Sequence, residues 1–163
     1  MNTEIVPYTL LPGHMISKHG EGVIRCVLGS SVAVCITARL GNFACMNHFV
    51  SPATKNKKEA TAMFGNVATL WLIKMAMEEG FTPSELQAQI FGGAYPETGT
   101  GSDIGRENCA VAEDVLRKKK IPLVSSDVAG HLGRKIVLDV GTGHAVVMKV
   151  KNIRHSDWHG AVW

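Results

Sequence analysis

The sequence has few aromatic residues, little net charge and no closely spaced cysteine pair. Aromatic residues make up 6% of the 163 residues and the formal net charge is only +3. The basic stretches at 55–58 and 117–120 are therefore expected to be solvated helix ends, and we expect no nucleic-acid partner. The four cysteines show no C-x-x-C spacing, and three of them (Cys26, Cys35 and Cys45) lie in or beside apolar stretches, as small buried hydrophobes do.

No segment of the sequence predicts a membrane span or a secretory signal. The most apolar stretch, Val67–Met77, is interrupted by Lys74 and is too short to cross a bilayer. Met1–Leu11 lacks the pattern of a signal peptide, and free cysteines suit a reducing compartment. We expect a cytoplasmic protein without membrane insertion, folded as a single domain over residues 1–163.

The order of predicted elements favours an α+β fold. Strands are predicted at Val23–Val27, Val32–Ile36, Phe43–Val50, Ala88–Phe91, Ile121–Val124, Lys135–Val140 and Ala145–Val150, and helices at about 58–79 and 104–119. The second and third strands should form an antiparallel hairpin around the turn at 40–42. Because strands outnumber helices and do not alternate with them, we predict a layered sandwich of mostly antiparallel or mixed sheet with two main helices packed outside, not a doubly wound sheet.

A serine and a histidine form the most informative pair in the sequence. Ser31 lies in a glycine-serine turn that enters a strand, and His48 lies one hairpin away, where a polar pair interrupts an apolar strand. On strand alternation, Ser31, Ala33 and Cys35 share one face. A buried imidazole needs a polar partner, so the pair could be a nucleophile and its base, or His48 could be a core histidine satisfied by a backbone carbonyl.

Two other motifs carry weaker hypotheses. The glycines at 99, 101 and 105 resemble a dinucleotide fingerprint, but the spacing is one residue too long, and a flexible surface loop is the preferred interpretation. His155 and His159, together with Asp157, could ligate a metal if this segment were helical, but no third ligand from the rest of the fold is evident. A frayed C-terminal tail is the preferred interpretation there, and no metal or other cofactor is expected.

Several separate blocks resemble the CheD family of chemoreceptor glutamine deamidases, over about residues 11–151, leaving 152–163 as a tail. The sequences LGSSVAVC at 28–35, MNHF at 46–49, FGGA at 91–94, IGREN at 104–108 and DVAG through GRK at 127–135 are similar to blocks of that family, in the same order. The resemblance implies a CheD-like cysteine hydrolase fold and no cofactor. It also implies two partners, the cytoplasmic helices of methyl-accepting chemoreceptors and a CheC-type phosphatase.

The resemblance also assigns roles to residues. It places the family's catalytic cysteine at Ser31 and its catalytic histidine at His48, and the main-chain amides of the Gly29-Ser30 turn become the oxyanion donors. The family's upstream threonine has no counterpart in Arg25-Cys26-Val27, so Asn47 or a backbone group could orient the imidazole instead. The implied reaction converts a receptor glutamine to glutamate through a covalent thioester.

Serine at position 31 changes what the resemblance implies for activity. A hydroxyl is far less acidic than a thiol, and a site shaped for sulfur is expected to hold oxygen too far away, so deamidation should be severely slowed or absent. Natural divergence or a deliberate Cys→Ser substitution would both produce such a chain, and the neighbouring residues favour the latter. Two alternatives stay open: a catalytically silent adaptor that binds chemoreceptors or the phosphatase, and a serine hydrolase that uses Ser31 itself.

Overall fold

The computed structural model describes residues 4–158, which form nine strands and three α-helices. The strands are β1 Tyr8–Thr9, β2 Met15–His19, β3 Val23–Leu28, β4 Val32–Ala38, β5 Phe43–Asn47, β6 Leu86–Gly92, β7 Leu123–Val128, β8 Gly133–Asp139 and β9 Ala145–Val150. The helices are α1 Gly65–Glu78, α2 Ile104–Lys118 and a single turn, α3 His155–Trp158.

The strands form two sheets that are stacked with the long helices into three layers. One sheet has the order β1-β3-β8-β9 and the other the order β2-β5-β4-β6-β7. The pairs β1–β3 and β6–β7 are parallel and the other pairs are antiparallel, so both sheets are mixed. Both α1 and α2 contact the five-stranded sheet and each other. The predicted α+β layered sandwich with two outer helices is confirmed.

Alternation along β4 separates two apolar layers. Val32, Val34 and Ile36 belong to the cluster that packs beneath α1 and α2, whereas Ala33 and Cys35 belong to the cluster between the two sheets. Every residue of β4 is buried, as expected of a central strand covered on both faces. The predicted hairpin between β4 and β5 is also present: Cys35 pairs with Met46, and Thr37 pairs with Ala44. The face assignment made from the sequence is therefore correct.

Helix α1 begins later than its apolar pattern predicts. The pattern extends back to residue 58, but the helix starts at Gly65, and Lys57–Glu59 form only a 3-10 turn. The chain before the helix forms a turn in which Phe64 N donates to Thr61 O, and this turn is held in place because the Val50 and Ser51 amides both donate to the Met63 carbonyl and Gly65 N donates to Ser51 O. These tertiary hydrogen bonds override the helical periodicity. The other helix, α2, is capped by Asp103, whose carboxylate accepts from Arg106 N at 3.0 Å.

Three of the four edge strands, β1, β2 and β7, are the elements that the sequence predicts least well. Strand β7 was expected at Ile121–Val124 but spans Leu123–Val128, because Pro122 interrupts the start and the strand continues through polar, exposed residues. Strands β1 and β2 were not predicted. Neither carries a clear apolar alternation, and both are stabilised by pairing with a neighbouring strand.

The beginning of the C-terminal tail is packed, not frayed. Lys135 Nζ lies 2.9 Å from Asp157 Oδ1, and the Asp157 carboxylate also accepts from Arg154 N. Asp157 is only 4% exposed. The expectation of a frayed tail is therefore wrong for residues 152–158, while His159, the second half of the metal hypothesis, lies outside the described residues.

The helices within residues 4–158 are all too short or too polar to cross a bilayer. The expected basic stretches are exposed, and residues 96–102, which include two of the motif glycines, form an exposed surface loop.

Candidate active site

The Gly29-Ser30-Ser31 turn connects the two sheets. It leaves β3 in the four-stranded sheet and enters β4 in the centre of the five-stranded sheet. Ser31 therefore lies at the edge of the layer between the sheets, where its side chain shares the face of Ala33 and Cys35. It is 5% exposed, so little of this residue faces solvent in the unbound protein.

His48 is brought to the same place by an interruption of the β4–β5 ladder. Val32 and Phe49 exchange two main-chain hydrogen bonds of 3.0 and 2.9 Å, which aligns the residues that follow Ser31 and His48. At the next hydrogen-bonding position, the side chain of Asn47 replaces the main chain and accepts from Val34 N at 2.8 Å. The His48 carbonyl instead accepts from Gly13 N. His48 is completely buried as a result.

The two predicted site residues are in hydrogen-bond contact. Ser31 Oγ lies 3.0 Å from His48 Nε2, an ordinary length for an O–H···N hydrogen bond. The expectation that oxygen would lie too far from the histidine is therefore wrong. The turn holds the smaller serine side chain close enough to the imidazole for direct proton transfer.

The opposite side of the imidazole faces a backbone carbonyl and a thiol. His48 Nδ1 lies 3.4 Å from Leu10 O and 3.4 Å from Cys26 Sγ. A carbonyl can only accept, so this contact assigns the Nδ1–H tautomer and leaves the Nε2 lone pair to accept the Ser31 hydroxyl proton. Of the two orienting groups considered from the sequence, the backbone group lies beside the imidazole, whereas the Asn47 oxygen is bound to Val34 N.

Burial keeps the imidazole neutral. It lowers the pKa of His48 to about 4, because the charged ring would lose its hydration, and nearby His14 lowers it slightly further. The Leu10 carbonyl raises the pKa but only in part offsets the burial. At neutral pH the ring is therefore an available but weak base.

The three carbonyls of the turn all accept hydrogen bonds, two from the 93–94 segment and one from α2. Ala94 N donates to Gly29 O at 3.0 Å and Gly93 N donates to Ser31 O at 2.9 Å. Asn108 Nδ2 in α2 donates to Ser30 O at 3.0 Å. Within residues 4–158, the main-chain N–H groups of Ser30 and Ser31 have no hydrogen-bond acceptor.

Glycines allow this close packing. A Cβ atom on Gly92, whose φ is +106°, would lie 2.2 Å from Ser31 O, and one on Gly105 would lie 2.3 Å from Gly93 O. Position 105 thus lets the start of α2 contact the 93–94 segment directly, which brings Asn108, one turn later, to the nucleophile turn.

A small cleft opens beside the turn. It has a volume of about 280 Å³ and is bounded by Gly29 and Ser30 on one side and by the tail residues Asn152 and Ile153 on another. The end of the Ile153 side chain approaches the positions where Gly29 and Gly133 have no side chain. The packed tail therefore forms one wall of the space that leads to the turn.

The four cysteines are poor substitute nucleophiles. All are free and buried. Burial raises the pKa of Cys26, Cys35 and Cys45 well above the usual range and that of Cys109 to about 11, so none of them forms a thiolate readily. Residues 4–158 contain no cluster of three or more His, Cys, Asp or Glu arranged to hold a metal ion.

Three residues at the site were not identified from the sequence. The Cys26 thiol comes from β3 and the Leu10 carbonyl from the residue after β1, so only the stacking of the sheets reveals them. Asn108 is part of the IGREN block, where its position in a polar helix start gave it no distinct role. The feature that could have identified Asn108 is the presence of an asparagine on the buried face of helix α2.

Comparison with known proteins gives one consistent family. The family described as "CheD chemotactic sensory transduction" matches residues 50–149, a range that excludes Ser31 and His48. A relative from Sulfurimonas denitrificans, described as a probable chemoreceptor glutamine deamidase CheD, is 34% identical over 79% of this chain and 85% of its own length. Relatives with the same description from Trichlorobacter lovleyi and Methylobacillus flagellatus are 33% and 31% identical, over 83% and 90% of this chain and 86% and 75% of their own lengths.

Proposed function

Because this chain belongs to the CheD chemotaxis family, we propose that it is a protein-glutamine deamidase of chemoreceptors whose nucleophile position is Ser31 and whose base is His48. The observation that carries the assignment is the 3.0 Å contact between Ser31 Oγ and His48 Nε2. The relatives' description as chemoreceptor glutamine deamidases supports the substrate class.

The reaction proceeds by acyl transfer. Ser31 Oγ attacks the carboxamide carbon of a glutamine side chain while its proton passes to His48 Nε2. The developing oxyanion accepts hydrogen bonds from main-chain N–H groups of the 29–31 turn. The imidazolium then protonates the departing nitrogen, ammonia leaves, and water hydrolyses the resulting ester to glutamate.

The rate of deamidation by this chain is limited by the low pKa of the base, His48, and not by the distance between Ser31 and His48. General-base catalysis is most effective when the pKa of the base lies near the working pH, and burial places that of His48 at about 4. Moving a proton from a weakly acidic hydroxyl to so weak a base is strongly uphill. A thiol, with an ordinary pKa near ~8.5, gives up its proton far more easily. We therefore expect slow or undetectable deamidation by the serine chain.

A Ser31→Cys variant tests the proposal. Ammonia release and conversion of glutamine to glutamate are measured on cytoplasmic receptor fragments, with mass spectrometry locating the converted residues. We expect kcat/KM to rise by roughly 10²-fold or more, the scale of an effective acid–base contribution. The matched control is Ser30→Cys, which places a thiol one residue away and is expected to remain at the parent's level.

Other outcomes separate the alternatives. If neither the parent nor Ser31→Cys acts on receptor while binding to a CheC-type phosphatase persists, the chain is a silent adaptor. Covalent labelling of Ser31 by a serine-directed probe, lost in His48→Ala, would instead support a serine hydrolase. We include the phosphatase and the cytoplasmic compartment in the proposal, and four free cysteines are consistent with a reducing environment.

A further inference from the structure

We propose that Asn108 is a positioning residue that fixes the Ser30–Ser31 peptide so that the Ser31 N–H faces the reacting oxygen. This inference rests on the proposed acyl-transfer function and names a residue for which the reaction scheme has no role.

The contacts of Asn108 connect both halves of the site. Its Nδ2 donates to Ser30 O at 3.0 Å and to Val50 O at 3.2 Å. Ser30 directly precedes the nucleophile position, and Val50 lies two residues after the base. Asn108 is completely buried, so water does not compete for these hydrogen bonds.

The hydrogen bond from Asn108 to the Ser30 carbonyl fixes the orientation of the whole Ser30–Ser31 peptide. A trans peptide is planar, and its C=O and N–H bonds point in opposite directions. Because Asn108 holds the Ser30 carbonyl towards α2, the Ser31 N–H of the same peptide points away from α2. Asn108 therefore controls the direction of a donor that it does not touch.

The neighbouring peptides extend the effect. The Gly29 and Ser31 carbonyls are bound by Ala94 N and Gly93 N, so three consecutive carbonyls are fixed by the adjoining 93–94 segment and α2. The N–H groups of Ser30 and Ser31 find no acceptor within residues 4–158. Successive unpaired N–H groups in a turn form a concave site for negative charge, which is what a tetrahedral oxyanion requires.

The chemistry of Asn108 makes an isosteric substitution informative. Both acceptors are carbonyls, and the Asn108 Oδ1 atom has no hydrogen-bond partner within the described residues. Asn108→Asp keeps the shape but replaces the two N–H donors with a carboxyl group, which has at most one O–H for the two carbonyls. Asn108→Ala removes the side chain and leaves room for a water molecule that could donate to Ser30 O.

The experiment is carried out in the Ser31→Cys background on receptor fragments. Loss of one oxyanion donor typically lowers kcat by about 10²–10³-fold, so we expect Asn108→Asp to lower kcat on that scale with little change in KM. Asn108→Ala should fall between Asn108→Asp and its parent. The matched control is Asn66→Asp, since Asn66 Nδ2 in α1 makes a similar bond to Thr54 O away from the site and its loss should leave kcat unchanged.

A second measurement distinguishes oxyanion positioning from general support of the site. Alkylation of the residue 31 thiol by iodoacetamide is a displacement that forms no oxyanion, so its rate in the Asn108→Asp variant should equal the rate in its parent. If alkylation slows in parallel with kcat, or if kcat is unchanged, the inference is overturned.

A crystal structure of Asn108→Ala in the serine chain tests the geometry without turnover. We expect the Ser30 carbonyl to rotate or to take a water as its donor, and an unchanged, unhydrated carbonyl would overturn the inference. Should the Ser31→Cys chain show no deamidation, the proposed function fails, while this structure still decides whether Asn108 orients the peptide.

Discussion

Replacing His48 with glutamine should remove a specific acid sensitivity of the fold. In the folded protein burial lowers the pKa of His48 to about 4, against an ordinary value of 6.5. Between these values the unfolded chain binds a proton at this position and the folded chain does not. The contribution of His48 to the free energy of unfolding is therefore complete above pH 6.5, and it is lost as the pH falls towards 4.

The size of the effect follows from the difference between the two pKa values. Each pKa unit corresponds to about 1.4 kcal/mol, so complete titration should cost about 3.5 kcal/mol of unfolding free energy, of which about 3 kcal/mol is lost by pH 4. For a domain with a typical total of about 5–15 kcal/mol, that is a large share.

Urea unfolding of parent and His48→Gln, at steps from about pH 7.5 to about pH 4, measures this contribution. Loss of the Ser31 and Leu10 contacts shifts the variant by an amount that does not depend on pH. The parent should therefore lose about 3 kcal/mol more than the variant over the range. His131→Gln is the matched control, because it makes the same exchange at a histidine whose side chain is 56% exposed. Equal acid losses in parent and His48→Gln would refute the reasoning.

Two further predictions concern packing around the turn. Gly105→Ala should lower the urea midpoint, because the new Cβ would meet the Gly93 and Ala94 carbonyls, although alanine is normally favoured over glycine in helices by about 1 kcal/mol. The control is Arg106→Ala, a substitution at the exposed neighbouring residue. An increased midpoint for Gly105→Ala would contradict the prediction. Asp157→Asn should weaken the contact with Lys135 and speed amide hydrogen exchange across residues 152–158. The control is Asp114→Asn, in an exposed ion-pair cluster, which should leave the exchange of these residues unchanged. Unchanged exchange in Asp157→Asn would show that the ion pair does not hold the tail.

The central part of the fold was predictable because one physical rule dominates there. Strand β4 is buried on both faces, so β-branched and apolar residues mark it clearly, and alternation correctly assigns Ala33 and Cys35 to the layer between the sheets. The same rule placed Ser31 on that face. The hairpin then brought His48 near it.

The remainder depends on contacts between distant segments. Helix α1 starts at Gly65 because residues 50–51 hydrogen-bond to Met63, which no local pattern indicates. The polar edge strand β7 is stabilised by its parallel partner, and its sequence resembles that of a loop.

At the candidate site, side-chain identities were predictable and main-chain partners were not. The sequence suggested that a backbone group could orient His48, but it could not select Leu10, which lies 38 residues away. Asn108 belongs to the block IGREN, yet only the fold shows that its amide reaches Ser30 and Val50.

The stacking of the two sheets has a consequence for how this protein responds to change. The imidazole of His48 lies between the sheets, with Leu10 and Cys26 on one side and Ser31 on the other. Ser31 and His48 are aligned by the Val32–Phe49 hydrogen bonds of the five-stranded sheet, so a slide of one sheet over the other would directly alter the distances from His48 Nδ1 to Leu10 O and Cys26 Sγ. The orientation of the His48 ring therefore depends on how the two sheets are aligned, and substitutions deep in the layer between them should change the His48–Leu10 contact before they cause unfolding.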